Sequence, residues 1–355
     1  MKDFLVLLSA AGGVAIFIYG LLKVGKSCEI LASAIPDKII YKTIKRPARG
    51  FLTGTLAAGI TQSGAAVTMI AVGLAEAGAA TLYNLAPLIA GANVGTTVTA
   101  QIVARTGGNY RLSAIVGTLA AVAGVILFVS GKGKVSVAGE AFAGLGLMLF
   151  GINAISSRAD EIIKLNFIRG ISACDNPFLL FFASLALAGV TQSSSALTGM
   201  LVLLSENSIK AFYRAIFIIL GSNVGSCVTV ALSGAGKSVA AKQAACFNLI
   251  FNAFGAVVFF PAAVLFKEKI ACLFPVAFID AGRAIADFQT AFNFLSAVMA
   301  FPCLKPLTNI TCKLVEKIDK LNKNAQKRRS KKSFEEKSCF IIDNFDDKVY
   351  NRRGK

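Results

Sequence analysis

Long apolar runs separated by short polar segments set the pattern of this chain. They occupy residues 4–22, 50–77, 82–104, 112–130, 138–156, 178–206, 244–266 and 285–303. Runs of this length suit helices that cross a hydrocarbon layer of ~30 Å. A helix also satisfies its own backbone polar groups, which lipid cannot do. The expected fold class is therefore an all-α polytopic membrane protein. Two runs break the pattern. Segment 50–77 carries a polar TQSG near its middle, and 178–206 carries TQSS at the matching place. Each reads as a helical hairpin that enters and leaves the membrane on one side.

The run at 4–22 could also be a cleavable leader. Its flank holds both Lys2 and Asp3, so it lacks net positive charge, and no small-residue cleavage site precedes polar sequence. A retained first helix is expected.

The chain also repeats itself. Residues 54–100 align without a gap on 184–230 at an offset of 130, with 18 of 47 positions identical. The matches concentrate in AGITQSGAAVT (58–68) against AGVTQSSSALT (188–198), and in GANVGTTVT (91–99) against GSNVGSCVT (221–229). Weaker likeness joins IYGLL (18–22) to FGINA (150–154) and the runs near 112–129 and 244–266. The expected organisation is a first membrane repeat over 1–135, a second over 136–270, a final transmembrane helix region over 271–312 and a basic tail over 313–355.

Charge decides how the repeats are oriented. The loop 26–49 holds Lys26, Lys38, Lys42, Lys45, Arg46 and Arg49 against Glu29 and Asp37. The loop 157–176 holds Arg158, Lys164 and Arg169 against Asp160, Glu161 and Asp175. Basic loops stay in the cytoplasm, so the first loop is placed there and the second on the opposite side. Four apolar segments separate the loops, and one re-entrant hairpin makes the crossing number odd. The repeats are then of inverted topology, in the cytoplasmic (inner) membrane. The tail, with KRRSKK at 327–332, falls in the cytoplasm.

Composition agrees with a lipid-embedded chain: 55% of the 355 residues are hydrophobic and only 16% charged, with a mean hydropathy of +0.67. The formal charge of +18 lies mostly outside the apolar runs, so nucleic acid is not an expected partner. There is no histidine, and the eight cysteines show no CxxC spacing. A zinc site, a cysteine protease or a nucleophile–base pair is therefore not expected, and neither is an enzyme.

The GxNVG stretch of each repeat is expected to sit in a broken helix, and broken helices persist in membranes only inside protein or beside water. Gly59, Gly64, Gly91, Gly95, Gly189, Gly221 and Gly225 permit tight turns and close backbone approach around the motifs. The hairpin motifs supply Thr61, Gln62, Ser63, Thr191, Gln192, Ser193, Ser194 and Ser195; the second motif of each repeat supplies Asn93, Thr96, Thr97, Asn223 and Ser226. These are neutral oxygen ligands and donors with no midplane cation. Side-chain oxygens and freed carbonyls suit sodium, while half-helix N-termini suit an anion. An anion without a basic partner needs co-bound cations to offset its charge, which is the physical reason to expect sodium coupling.

At TQSSSA and GSNVGSCVT the chain resembles the type II sodium/phosphate cotransporter family, and the likeness spans nearly all of 5–305. The resemblance implies sodium-driven uptake of inorganic phosphate, with sodium as coupling ion and no other cofactor. It also implies that Gln62, Ser63, Gln192, Ser193, Ser194 and Ser195 bind substrate and ions, with Asn93, Thr96, Asn223 and Ser226 beside them. The first copy departs from the family's QSSS, reading Gln62-Ser63-Gly64-Ala65. Where the family often carries His-x-x-Phe-Asn, this chain has Asn248…Phe251-Asn252 and Gln289…Phe292-Asn293, which favours sodium over protons.

The alternatives are a sodium-coupled transporter of sulfate or a dicarboxylate, and an anion channel. Phosphate, sodium and the bilayer are the expected partners; a homodimer is compatible with the sequence. Glu76 and Glu206 match across the repeats but stand near turns, where solvation at the membrane surface explains them equally well. Asn252 and Asn293 read as helix–helix hydrogen bonders.

Overall fold

The computed structural model describes residues 2–32, 43–107, 110–163, 174–205, 208–274 and 280–324. Lys38, Lys42, Lys164, Arg169, Glu206 and the basic run 327–332 lie outside the described residues. Among the described residues all regular structure is helical. Five helices are long and apolar enough to cross a membrane, or up to six. The chain divides into two units, 1–308 and 309–355. In the second unit the described residues 309–324 are helical, with Lys323 Nζ 2.9 Å from Asp319 Oδ2.

The first unit begins with α1 (Lys2–Ala32). The first hairpin region follows as α2 (Pro47–Thr61) and α3 (Gly64–Glu76). Next come α4 (Leu82–Gly95), α5 (Thr97–Gly107), α6 (Tyr110–Ser130) and α7 (Lys134–Ser156). After the short α8 (Ala159–Ile163), the second hairpin region is α9 (Pro177–Thr191) and α10 (Ser194–Leu204). Then α11 (Ile209–Gly225), α12 (Cys227–Ser233), α13 (Val239–Cys272) and α14 (Ala281–Ala300) complete the unit.

The breaks follow local chemistry. Both α2 and α9 open on a proline in the first turn, where its missing N–H has no partner to lose. Asn176 also caps α9 by accepting from the N–H groups of Phe178 and Leu179. Each ends at a glutamine in the left-handed region: Gln62 at φ 52° and Gln192 at φ 58°. These are the two non-glycine residues with positive φ among the described residues. The next residue restarts the helix as an N-cap. Ser63 Oγ accepts from Ala66 N, and Ser193 Oγ from Ala196 N, each at 3.1 Å. The long segments that carry GxNVG break too, at Thr96 and at Ser226.

Small residues let the backbones touch. Helix α2 packs on α4, and α9 on α11, as matching pairs. A Cβ at Gly91 would stand 2.0 Å from the Phe51 carbonyl oxygen, and one at Gly221 would stand 2.1 Å from that of Phe181. By sequence these glycines suit tight turns as well as close approach. The structure assigns Gly91, Gly95, Gly221 and Gly225 to close approach within helices, and the left-handed turns to Gln62 and Gln192. Lipid tails offer no hydrophobic gain for helix association, so such contact carries the packing.

Helix α7 lies between α1 and α6, and the outer face of α6 exposes Ile115, Leu119, Val122, Ile126 and Val129. Lys23 and Glu140 pair at 3.0 Å across α1 and α7. At the centre, α13 packs on α3, α4, α11 and α12, while α14 packs on α5, α10 and α11. These two helices bring buried polar side chains inward: Asn248 and Asn252 from α13, Gln289, Asn293 and Ser296 from α14.

Candidate functional site

The two Gln-Ser turns meet. Gln62, Ser63, Gly64 and Ala65 from the first, with Gln192, Ser193, Ser194 and Ser195 from the second, line one cavity of about 60 Å³. Asn93, Thr96, Ser226 and Asn248 complete the lining. The volume is several times what a single water needs. No ionisable side chain lines it.

Its electrostatics come from the backbone. The N-termini of α3 and α10, at Gly64 and Ser194, both border the cavity. First-turn N–H groups have no intrahelical acceptor, and the helix dipole puts partial positive charge there. The C-terminal ends of α4 and α11 arrive at Thr96 and Ser226, bringing carbonyl oxygens and partial negative charge. Ser195 Oγ donates to the Thr96 carbonyl oxygen at 3.5 Å, linking the second hairpin to the first broken helix. One small space thus offers anion-favouring and cation-favouring poles side by side.

Asn93 is tied into α13: its Nδ2 donates to Asn248 Oδ1 at 3.2 Å, and its Oδ1 accepts from Asn252 Nδ2 at 3.0 Å. Asn252 is therefore the helix–helix hydrogen bonder expected of it, and its partner is a residue lining the cavity. Asn293 instead donates to the Gln289 carbonyl in its own helix, while Gln289 Nε2 reaches Thr198 Oγ1 at 3.1 Å. Several buried oxygens have no hydrogen-bond partner among the described residues, including Gln62 Oε1, Thr99 Oγ1, Thr229 Oγ1 and Gln289 Oε1. Buried polar atoms are ordinarily satisfied, so Gln62 Oε1, the one of these that lines the cavity, points to a ligand there.

Four expected residues do not line the cavity. The hydroxyls of Thr61 and Thr191 bond the carbonyls of Ala57 and Leu187 one turn back, and Thr97 bonds Val94. Asn223 is buried and donates to the Ile219 carbonyl. Gly64 and Ala65 line the cavity beside the expected residues, and so does Asn248. Its signal was the Asn248…Phe251-Asn252 pattern in a helix whose polar positions face inward. The half-buried Asp287 was also not singled out, although a carboxylate inside an apolar run is a signal. It accepts from Gln101 Nε2 at 3.0 Å and is not among the cavity's lining residues.

Glu76 stands at the exposed end of α3, outside the spanning segments, and accepts from Ser238 Oγ and N. Those hydrogen bonds hold its carboxyl below the usual range. It thereby holds Ser238, the N-cap of α13, and does not line the cavity.

The reduced first motif has a steric explanation. A Cβ at Gly64 would stand 2.7 Å from Thr96 Cγ2. In the second copy Ser194 is matched with Ser226, which lacks that methyl. Gly64→Ser alone is expected to destabilise the protein by about 1 kcal/mol, and Thr96→Ser alongside it to restore most of the loss. A double-mutant cycle on thermal stability checks this, and additive single effects would refute the coupling.

A family profile described as Na+/Pi-cotransporter matches residues 16–157 and 167–285. An uncharacterized protein of Bacillus subtilis, YqeW, is 27% identical over 317 residues, covering 88% of this chain and 97% of its own. The putative inorganic phosphate export protein YjbB of Escherichia coli is 23% identical over 314 residues, 88% of this chain and 56% of its own. Its Salmonella typhimurium counterpart is 23% identical over 301 residues, covering 84% and 54%. The aligned region thus spans little more than half the length of the two YjbB proteins. No solved structure matches the chain. The profile covers both Gln-Ser turns and both GxNVG breaks, and on that match the chain belongs to the Na+/Pi-cotransporter family.

Proposed function

We propose that this protein carries inorganic phosphate across the cytoplasmic membrane together with sodium, by alternating access of the central cavity. The observation that carries the reading is the cavity itself: two Gln-Ser turns, neutral oxygen ligands and two helix N-termini around a space with no cationic side chain. Phosphate oxygens would take the first-turn N–H groups and the hydroxyls of Ser63, Ser193 and Ser194. Sodium would take carbonyl ends near Thr96 and Ser226 and side-chain oxygens such as Gln62 Oε1, where a buried acceptor lacks a donor. Each charge offsets the other in a low-dielectric site, so binding of one favours the other. Family membership and the printed phosphate-export names of two relatives support the substrate.

In this reading the halves are repeats of inverted topology, and the hairpins α2–α3 and α9–α10 close alternately on either side. The tail lies in the cytoplasm. The direction of net flow follows the summed sodium and phosphate gradients, so a symporter accommodates both uptake and the export named for the relatives.

The test is radiolabelled phosphate flux in proteoliposomes, with a sodium gradient and then with potassium replacing sodium. Concentrative phosphate movement only with sodium, with competition by arsenate and not sulfate, is the expected outcome. Gln192→Ala and Ser194→Ala should each lower that flux about ten- to a hundredfold without removing protein from the membrane. Flux with the same sodium and phosphate dependence in both variants would remove this site. A preference for sulfate or a dicarboxylate would move the reading to another anion, a shift to which Gly64 and Ala65, with no side-chain hydroxyls, lend a reason.

A further inference from the structure

A second cavity, of about 380 Å³, lies away from the central one, among the start of α9, the first turns of α11 and the far part of α13. Its rim is charged. Lys210 and Arg214 come from successive turns of α11, and Lys267 from α13. Arg214 Nε donates to Asp175 Oδ1 at 2.8 Å, which leaves two lysines. Among the described residues neither Lys210 nor Lys267 has a carboxylate at ion-pair distance, although Glu268 also lines the rim. Lys267 Nζ sits 5.5 Å from the centre of the Tyr213 ring, a cation held over an aromatic face.

The floor is apolar. Pro177, Phe217 and Val264 form it. Phe217 is 5.4 Å from Phe260, which also contacts Phe178 at 5.0 Å and Phe181 at 5.3 Å between ring centres. Phe178 and Val264 are exposed on the same cluster. The cavity therefore joins a mixed-charge rim, with two lysines not held by a carboxylate among the described residues, to an apolar path that opens outward. Inorganic phosphate would use the rim and gain nothing from the floor, whereas a phospholipid uses both.

We propose that this cleft binds an anionic phospholipid, its phosphate group held by Lys210 and Lys267 and an acyl chain laid along Phe217, Phe260 and Val264. The shared chemistry with free phosphate is the phosphate oxygen, and the lipid is the source that the floor selects. Lipid here would brace α9, the first arm of the second hairpin, against α11 and α13.

Native mass spectrometry of the purified full-length protein, equilibrated with equal phosphatidylglycerol and phosphatidylcholine, tests this. Phosphatidylglycerol should be retained preferentially. The double variant Lys210→Gln, Lys267→Gln should lose about tenfold of that preference. Lys210→Arg with Lys267→Arg should keep it, and so should Gln192→Ala, which touches only the central site. Millimolar inorganic phosphate should leave the bound lipid in place. Equal retention of the two lipids, a preference unchanged by the Gln double variant, or displacement by inorganic phosphate would each overturn the assignment. Both lysines are exposed, so the variants are expected to fold, and the Arg pair controls for it.

Discussion

Gln192→Gly is expected to yield a protein about 1 kcal/mol more stable than Gln192→Ala and, under the proposed function, with sodium-dependent phosphate flux lowered to the same degree. Gln192 occupies the left-handed region, at φ 58° and ψ 21°, between α9 and α10. An L-residue there places its Cβ against the following carbonyl, at a cost of about 1–2 kcal/mol, which glycine avoids. Alanine keeps that strain and discards the side chain. Glycine discards both, at a smaller cost in unfolded-chain entropy. Gln62, at φ 52° and ψ 24°, makes the same prediction for the first turn. A side chain kept in such a backbone where glycine would be easier marks a site where the side chain is needed. Thermal denaturation in detergent gives the stability order, and proteoliposome flux gives the activity. Should the glycine variant transport at the wild-type rate, the glutamine amide has no part in binding.

The largest effect on folding is expected at the helix crossings. Gly91→Val and Gly221→Val should each destabilise the protein by at least about 3 kcal/mol, above the usual range for an overpacked side chain. The reason is that the first added atom already overlaps backbone: 2.0 Å from the Phe51 carbonyl oxygen in one case, 2.1 Å from that of Phe181 in the other. A neighbouring side chain can rotate away, but a helix backbone can yield only by moving as a body. Relief would then drag α2 off α4, or α9 off α11, and with them the Gln-Ser turns at their ends. Gly95 and Gly225 stand one turn further along the same contacts, where an added Cβ would lie 2.3 Å from the Thr55 oxygen and 2.1 Å from the Leu185 oxygen. Gly73 is the control: a Cβ there meets nothing within 4 Å, and Gly73→Ala should be neutral or slightly stabilising. The fraction eluting as a monodisperse species by size exclusion measures folding. Folded, wild-type-like Gly91→Ala and Gly221→Ala would refute this packing.

The positions where helices stop were legible in the sequence because stopping is a local event. At each TQS a left-handed glutamine ends one helix and the serine after it caps the next, all within one turn. The repeated spacing of TQS and GxNVG makes the two copies visible and contains most lining residues of the cavity. What local sequence does not carry is rotation about a helix axis. Thr61 and Thr191 share a motif with lining residues, yet their hydroxyls bond the preceding turn. Asn248 shares no motif with the turns, yet α13 brings it to Asn93 from 155 positions away. Likewise the sequence allows Gly91 and Gly221 either a turn or a close approach, and the packing of α2 and α9 against them makes it the close approach. The sequence by itself determined the helical breaks, the duplication and the neutral, oxygen-rich character of the site. Only the tertiary structure decided which side chains face the shared space, because that depends on the phase of each helix at 3.6 residues per turn and on contacts between segments far apart in the chain.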